Sequence, residues 1–242
     1  MNYSDVYLES IGYELAPNVV HTSDLEGRLE AVYKKLHFQP GQLEALTGIR
    51  ERRYWDPGFK MSAGAISAGK KALARTAVTP ESIGMLIYAG VCRDNLEPAT
   101  ACAVANALNI GPDALVYDVS NACLGVVNGM IQVANAIETG QISAGLVVSC
   151  ESARQIVDTT IDRLVAAADM EMFKKTIATL TGGSGAVAVL LTSKEMATRN
   201  HRLIGGVVKN ATVHHELCTW GPDTGIPASM PLIMETDSVS VL

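Results

Sequence analysis

Short aliphatic runs that alternate with longer helical segments are the feature that most constrains the fold of this 242-residue chain. Each run is bounded by glycine or polar residues, as buried strands are, and the runs lie at Met85–Ala89, Leu115–Val119, Gly145–Ser149, Ala186–Leu191 and Leu203–Val208. A further strand is expected near Val6–Gly12. Helical segments separate the first four runs, and this alternation predicts a mostly parallel sheet with helices on its faces.

Start signals divide the remaining segments into helices. The first helix follows a capping-box pattern, in which the Ser23 hydroxyl and the Glu26 carboxylate would satisfy free backbone amides. Proline in a first turn and polar residues at other starts mark further helices. The expected limits are Ser23 to about Leu36, Ser62 to Ala77, Pro98 to Leu108, Ala153 to Ala168, and Asp169 onward.

The segment from Cys123 to Glu138 predicts an unusual helix. Apolar residues cover most of its circumference, and its polar residues, Asn128, Gln132 and Asn135, fall on one thin stripe. A helix that is apolar nearly all round is a buried one, so we expect it to be sandwiched inside a layered α/β core. Gly140 stands where a C-terminal glycine cap is expected.

Cys123 is a candidate nucleophile because it follows a predicted strand and opens this helix. The positive end of a helix dipole favours the thiolate, and free amides there could hold an oxyanion. Ala122 and Gly125 leave room for a substrate. A small core cysteine is an equally good interpretation from position alone. For Cys92, Cys102 and Cys150 a core position is favoured.

Composition excludes several classes of function. Hydrophobic residues make up 48% of the chain and charged residues 18%, which is enough for a buried core. Nineteen basic residues stand against 25 acidic ones, so no basic surplus favours a nucleic-acid or anionic-membrane partner. Five cysteines without a close CxxC pair match neither a disulfide framework nor a zinc ribbon. We also find no signal-peptide pattern and no apolar stretch of about 20 residues, and expect a cytoplasmic protein.

Three motifs occur in a set order: TGIRERR at Thr47–Arg53, DVSNACLG at Asp118–Gly125, and GGSGAV at Gly182–Val187. Together they resemble the thiolase superfamily, in the branch of 3-oxoacyl-acyl-carrier-protein synthase III. The RDNLEPAT pattern at Arg93–Thr100 is similar to the acyl-CoA condensing enzymes of bacterial head-to-head olefin biosynthesis. The resemblance implies a thiolase-like layered fold with a buried central helix. Residues 1–195 would form its N-terminal half, and residues 196–242 would begin a C-terminal half that is largely missing.

The resemblance also implies a chemistry. Cys123 matches the residue that takes an acyl group from a thioester, and a second thioester then attacks it in a Claisen condensation. Glu97 matches the base of the olefin-type enzymes, which reaches the site of the neighbouring subunit in a homodimer. A water-poor pocket would raise its pKa. Otherwise Glu97 is a plain carboxylate at a helix start. The alternatives are a decarboxylating synthase that uses malonyl thioesters in fatty acid or polyketide synthesis, and a non-catalytic partner subunit.

The implied substrates are thioesters of coenzyme A or acyl carrier protein, with no permanently bound cofactor. Classical members have an arginine where this chain has Leu46, and Arg50, Arg52 and Arg53 are weaker candidates for coenzyme binding; a solvated turn is as good an interpretation. Thr181–Gly185 lacks the phosphate-loop pattern and suggests close backbone packing instead. Ser152–Leu180 is expected to wall the acyl pocket and dimer surface, or to be an ordinary covering helix pair.

Two adjacent histidines near the end do not replace missing catalytic groups. The family's catalytic histidine and asparagine belong to its second half, beyond Leu242, so we expect a truncated version of a longer protein. His214 and His215 do not match that histidine. Side chains of neighbouring strand residues point to opposite faces, so a shared metal ion is disfavoured and no metal site is expected.

Overall fold

A five-stranded mixed sheet organises the computed structural model, which describes residues 1–167 and 169–215. Its strands are β1 Val6–Leu15, β4 Met85–Ala89, β5 Leu115–Val119, β6 Ala144–Glu151 and β7 Gly185–Ser193. They lie in the order β1-β7-β6-β4-β5. The β7 strand is antiparallel to both of its neighbours, β1 and β6, whereas β4 is parallel to β5 and β6. The other four strands therefore all run in the direction opposite to β7, and the predicted mostly parallel sheet is confirmed. Two shorter strands, β2 Asn18–His21 and β3 Glu51–Tyr54, form a separate antiparallel pair.

Helices cover both faces of the sheet. Their bounds are α1 Thr22–Arg28, α2 Glu30–Leu36, α3 Gln42–Thr47, α4 Met61–Leu73, α5 Thr100–Ala107, α6 Gly125–Glu138, α7 Arg154–Ala166 and α8 Met170–Thr176. Side chains alternate between the two faces of each strand. Leu86 and Tyr88 therefore pack with α4 and α5, whereas Met85 and Ile87 pack with α6. A third cluster joins α1 and α2 to α7 and α8.

Glycines allow α6 to lie directly on the sheet. A Cβ atom at Gly129 would come within 2.8 Å of a methyl group of Val147. Conversely, a Cβ atom at Gly145 of β6 would come within 2.5 Å of a methyl group of Val133 on the helix. Each valine thus fills the space that the opposite glycine leaves, and the helix is seated in one register on β6.

The outer side of α6 differs from the inner one. Gly125, Gly129 and Val133 are buried against the sheet, so the inner side of the central helix is buried as predicted, but the described residues do not form the predicted sandwich around it. Leu124 and Val127 are 55% and 51% exposed, because no second layer of the described residues packs on that side. On the edge strand β1, Tyr13 and Leu15 are each 55% exposed as well.

Several helix starts differ from the predictions because carboxylates other than the expected ones bind the free amides, and some of these carboxylates are distant in sequence. The N–H group of His21 donates to Asp24, so the predicted capping box of Ser23 and Glu26 is wrong. Glu26 is instead buried, where it accepts hydrogen bonds from the Tyr33 hydroxyl at 2.9 Å and from backbone N–H groups further along. The predicted first helix is two helices, α1 and α2, which meet at Leu29.

Other boundaries shift by a few residues. The α4 helix begins at Met61 and ends at Leu73, short of the predicted Ala77, and α5 begins at Thr100 rather than at Pro98. Asp169 caps α8 as expected, and Gly140 adopts the predicted left-handed conformation, with φ of 70°.

The predicted strand at Leu203–Val208 is wrong. Only isolated bridges form there, between Tyr7 and Arg202 and between Asn2 and Gly205. Between the two bridges the chain advances five residues from Asn2 to Tyr7 but only three from Arg202 to Gly205. The two segments therefore differ in length, and a continuous ladder cannot form between them. Ile204, Val207 and Val208 are exposed, so burial does not stabilise a strand either.

We expect Gly129→Ala to destabilise the chain by about 1–3 kcal/mol, because the added methyl group collides with the branched side chain of Val147 and α6 must move. Urea unfolding measures the change in the free energy of unfolding. Gly27→Ala is the matched control, since a Cβ atom there meets nothing within 4 Å, and it should change that free energy by less than about 1 kcal/mol. Equal effects of the two substitutions would contradict the proposed packing.

Glu9 fastens the segment after β7 to β1. Its buried carboxylate accepts hydrogen bonds from the Thr76 hydroxyl at 2.9 Å, from the Thr198 N–H at 2.8 Å and from the Thr198 hydroxyl. Burial raises the pKa of the Glu9 carboxyl, but the hydrogen bonds from Thr198 and Thr76 outweigh it, so this pKa lies below its ordinary value of 4.5.

We therefore expect Glu9→Gln to lower the free energy of unfolding at pH 7 by about 1–3 kcal/mol. A lowered carboxyl pKa contributes stability above the unfolded value near 4.5, and this contribution is lost as the pH falls through the folded value. The difference between parent and variant should thus shrink in unfolding experiments below pH 4.5. The exposed Glu195→Gln serves as control, and a pH-independent difference would show that the charge of Glu9 contributes nothing.

Candidate active site

The carboxyl ends of two neighbouring parallel strands bring Glu97 and Cys123 to one edge of the sheet. The β4 strand leads into the loop that carries Glu97, and β5 leads to Cys123. The last residues of these strands, Ala89 and Val119, are register partners, and the N–H of Gly90 donates to the oxygen of Val119 at 3.1 Å. Loops at this edge are where α/β sheets gather binding and catalytic groups.

A tight turn presents Cys123. After β5 the chain enters a short 3₁₀ turn, Ala122–Leu124, and α6 begins at Gly125. Ala122 has a φ of 45°, a left-handed conformation that non-glycine residues rarely adopt and that concentrates at functional sites. The N–H of Leu124 donates to the oxygen of Asn121 at 3.0 Å and closes the turn.

The polar stripe of α6 binds the turn, the preceding strand β5 and the N-terminal segment. The Asn128 side chain accepts a hydrogen bond from the Asn121 amide, two residues before Cys123. Gln132 accepts one from the Tyr117 hydroxyl of β5 at 2.7 Å, and Asn135 accepts one from the Tyr3 hydroxyl at 2.8 Å. The stripe was visible in the sequence, but its partners come from elements that only the fold brings together.

Accessibility distinguishes Cys123 from the core cysteines. Cys92 and Cys150 are buried, as predicted, and burial raises the pKa of both thiols, that of Cys92 to about 12. Cys123 is exposed and therefore does not fill the core of the described chain. The prediction for Cys102 is wrong: it is exposed, because α5 packs through Ala101, Val104 and Ala105 instead. Cys218 lies outside the described residues.

Glu97 lies in an exposed part of the loop between β4 and α5. The described residues offer it no hydrogen bond or ion pair, and they do not build the water-poor pocket that the resemblance implied. It also does not serve the start of α5, since the first amides of that helix, at Thr100 and Ala101, donate to Asp118 at 2.9 and 2.8 Å. The plain interpretation of Glu97 as a helix-start carboxylate is therefore disfavoured.

Carboxylates that the sequence reasoning did not single out hold this loop. Glu151, at the end of β6, accepts hydrogen bonds from the N–H groups of Val91 at 2.6 Å and Cys92 at 3.2 Å. Asp94 accepts one from the N–H of Met61 at 2.6 Å. The available signal was that Asp118 opens one of the three motifs, and Asp94 lies within the RDNLEPAT pattern.

The three candidate coenzyme-binding arginines have different environments. Arg50 is exposed and pairs with Glu44 at 3.3 Å. Arg53 is half-buried and donates to the backbone oxygen of Ala16 at 3.3 Å. Arg52 is only 6% exposed and donates to the Thr22 hydroxyl at 3.0 Å, and burial lowers the pKa of its guanidinium group. Its position favours a structural role, whereas Arg50 and Arg53 keep accessible atoms.

The remaining sequence features have structural positions. Gly182 packs so tightly that its Cβ would come within 2.8 Å of Ala153, which agrees with the expected backbone packing of the glycine-rich segment. Within Ser152–Leu180, α7 and α8 pack on α1 and α2, as a covering helix pair does. His214 and His215 lie exposed in and after a short turn, and the described residues contain no cluster with metal-ligating geometry. None of the helices described is long and apolar enough to span a bilayer.

Comparison with known proteins identifies the family. The model of 3-oxoacyl-[acyl-carrier-protein] synthase III matches residues 117–209. An acyl-CoA:acyl-CoA alkyltransferase of Shewanella oneidensis is 51% identical over the whole chain and 70% of its own length. The enzyme of the same name from Xanthomonas campestris is 33% identical over 97% of the chain and 70% of its own length. A beta-ketoacyl-[acyl-carrier-protein] synthase III of Bacillus cereus is 33% identical over 64% of the chain and 47% of its own length.

Solved structures agree with these relatives. A glutamate-to-glutamine variant of Xanthomonas campestris OleA superposes with a TM-score of 0.87 at 33% identity, over 92% of this chain and 65% of that one. A cysteine-to-serine variant of OleA with bound lauric acid and lauroyl-CoA gives 0.84 at 32% identity, over 90% of this chain and 65% of that one. The chain thus spans about two thirds of the length of these relatives. With its fold, its motifs and these matches, the chain belongs to the thiolase-like 3-oxoacyl-acyl-carrier-protein synthase III family, in the branch of the acyl-CoA:acyl-CoA alkyltransferases.

Proposed function

We propose that this chain carries the acyl-accepting part of an enzyme that joins two fatty acyl thioesters by Claisen condensation through an acyl-Cys123 intermediate. The observation that carries the proposal is the position of Cys123, exposed on a strained turn between β5 and the first residue of α6. A helix start with free backbone N–H groups is the kind of position that can hold the oxyanion formed when a cysteine attacks a thioester. The names of the relatives with the highest identity support the same chemistry.

The reaction has two steps. In the first, the Cys123 thiolate attacks the carbonyl carbon of an acyl thioester, a new carbon–sulfur bond forms as the bond to the donor's sulfur breaks, and the donor leaves as a thiolate that takes up the proton Cys123 has lost. In the second, a base removes a proton from the α-carbon of another acyl thioester. The resulting carbanion attacks the acyl carbon on Cys123, a carbon–carbon bond forms, and the cysteine thiolate leaves to give a 3-oxoacyl thioester.

Glu97 is our candidate for the base. In the Xanthomonas OleA variants, the substituted glutamate precedes the substituted cysteine by 26 positions, the same separation as that of Glu97 and Cys123 here. The glutamate is exposed on its loop in the single chain, which suits a base that reaches the site of a partner subunit. We therefore propose a homodimer in which each loop completes the neighbouring site.

Acyl groups would arrive on coenzyme A. The Xanthomonas OleA structure with bound lauroyl-CoA supports this donor, and Arg50 and Arg53 are the accessible candidates for contacts with its phosphates. Acyl carrier protein is the alternative donor. A cytoplasmic location, the division of the chain at residue 195 into two halves, and a wall of the acyl pocket built from Ser152–Leu180 remain parts of this proposal. A non-catalytic partner subunit remains the rival outcome.

A decarboxylating synthase is the second candidate function. The match to the synthase III family model and the Bacillus relative favour it. That reaction generates the carbanion by loss of carbon dioxide from a malonyl thioester and needs no base at Glu97. Product analysis with malonyl and acyl donors offered separately distinguishes the two enzymes.

Cys123→Ala should abolish formation of the acyl-enzyme, because it removes the nucleophile. Intact mass spectrometry after incubation of the full-length protein with a long-chain acyl-CoA should show an adduct on the parent and none on the variant. The condensation rate should fall by about 10³-fold or more. Cys102→Ala is the matched control, since Cys102 is also exposed and should be dispensable. Condensation retained in Cys123→Ala would refute the mechanism.

Glu97→Gln should separate the two steps. Acylation of Cys123 should survive, because that step does not use the base, whereas condensation should fall by about 10²- to 10⁴-fold. Adduct mass and product yield measure the steps independently. The surface variant Glu81→Gln should change neither, and an unchanged product yield in Glu97→Gln would remove Glu97 from the mechanism.

A further inference from the structure

We propose that Asp118 is a positioning residue for condensation: it ties the Glu97 loop to the segment that presents Cys123. This inference rests on the proposed function. Asp118 does not touch substrate in our proposal, and it acts through the placement of Glu97.

The carboxylate of Asp118 joins two segments distant in sequence. The residue is half-buried on β5, five positions before Cys123. One of its oxygens accepts the N–H of Thr100 at 2.9 Å, and the other accepts the N–H of Ala101 at 2.8 Å. These two residues begin α5, immediately after the loop that carries Glu97. A single side chain thus fixes the end of that loop to the strand of the nucleophile.

The loop is also anchored before Glu97, at Asp94. The Asp94 carboxylate accepts the N–H groups of Met61 at 2.6 Å and Ser62 at 3.3 Å, at the start of α4. Its own N–H donates to the buried Thr100 hydroxyl at 3.3 Å. Glu97 lies midway between Asp94 and Thr100, so an exposed tip is carried by two anchored ends.

These hydrogen bonds restrict the position of Glu97, and they are separate from the hydrogen bond that holds the Cys123 turn. Hydrogen bonds from N–H groups to a carboxylate are short and about twice as strong as neutral ones, and this carboxylate also lies at the positive end of α5. Cys123 has its own support, since Asn121 donates to Asn128 of α6. In Asp118→Asn, the side-chain NH₂ group faces a backbone N–H, so one of the two hydrogen bonds is lost. Displacement of a catalytic group by about 1 Å can cost about 10²-fold in rate.

The test compares Asp118→Asn, Glu97→Gln and the double variant in the full-length protein. For each we would measure the thermal midpoint, the rate of acyl transfer from a long-chain acyl-CoA to Cys123, and kcat and KM for condensation. Asp113→Asn, on an exposed turn before β5, is the matched control and should behave like the parent. We expect Asp118→Asn to acylate within about threefold of the parent while its condensation kcat falls about 10²-fold with KM little changed.

The double variant distinguishes positioning from general structural support. If Asp118 acts through Glu97, then adding Asp118→Asn to Glu97→Gln should bring no further loss. Multiplicative losses, or an equal fall in acylation and condensation, would overturn the proposal. If Asp118→Asn does not fold, Asp118→Glu provides the second variant: it keeps the charge but is one methylene longer, so it displaces the N–H groups of Thr100 and Ala101 that the carboxylate holds, and it should show the same selective loss of condensation. A parent protein without an acyl adduct would instead refute the proposed function, and this inference with it.

Discussion

The structure depends on the direct seating of α6 on the sheet. Gly129 and Gly145 remove two side chains at the contact, and Val147 and Val133 fill the spaces. At the start of the helix, a Cβ atom at Gly125 would lie 3.4 Å from the oxygen of Ala89, so the helix end that carries the nucleophile lies against the end of β4. Because close-packed interiors tolerate little displacement, this contact sets where Cys123 emerges from the sheet.

Carboxylates at and after the ends of the strands hold the loops and helix starts in place. Asp94, Asp118 and Glu151 bind backbone N–H groups at the edge where β4, β5 and β6 end. These N–H groups belong to helix starts and loop residues that have no backbone partner of their own, and an anionic acceptor satisfies them. The same groups thereby hold both ends of the loop that carries the exposed Glu97. Stability and site geometry thus depend on the same hydrogen bonds.

The differences between the predicted and observed starts of α4 and α5 have a common cause. Sequence rules assume that a cap lies within a few residues of the helix it serves. Asp169 and Asp24 satisfy that assumption, although Asp24 rather than Glu26 closes the first helix. The caps of α4 and α5 come from Asp94 and Asp118, which are 33 and 18 positions away. No local pattern identifies such partners, because the fold alone makes them neighbours.

The sequence by itself determined the strands at Met85–Ala89 and Leu115–Val119, the mostly parallel arrangement of the sheet, and Cys123 as the candidate nucleophile. Aliphatic runs, helix periodicity and a motif at a strand end are local signals. Each lies within a short stretch of sequence, so it can be recognised without knowing what the stretch packs against. Tertiary structure decided which cysteines are accessible, why Arg52 is in the core, and that Leu203–Val208 forms no strand. Each of these outcomes requires a partner or a packing surface from elsewhere in the chain, and distant contacts of that kind leave no periodic signal in the sequence.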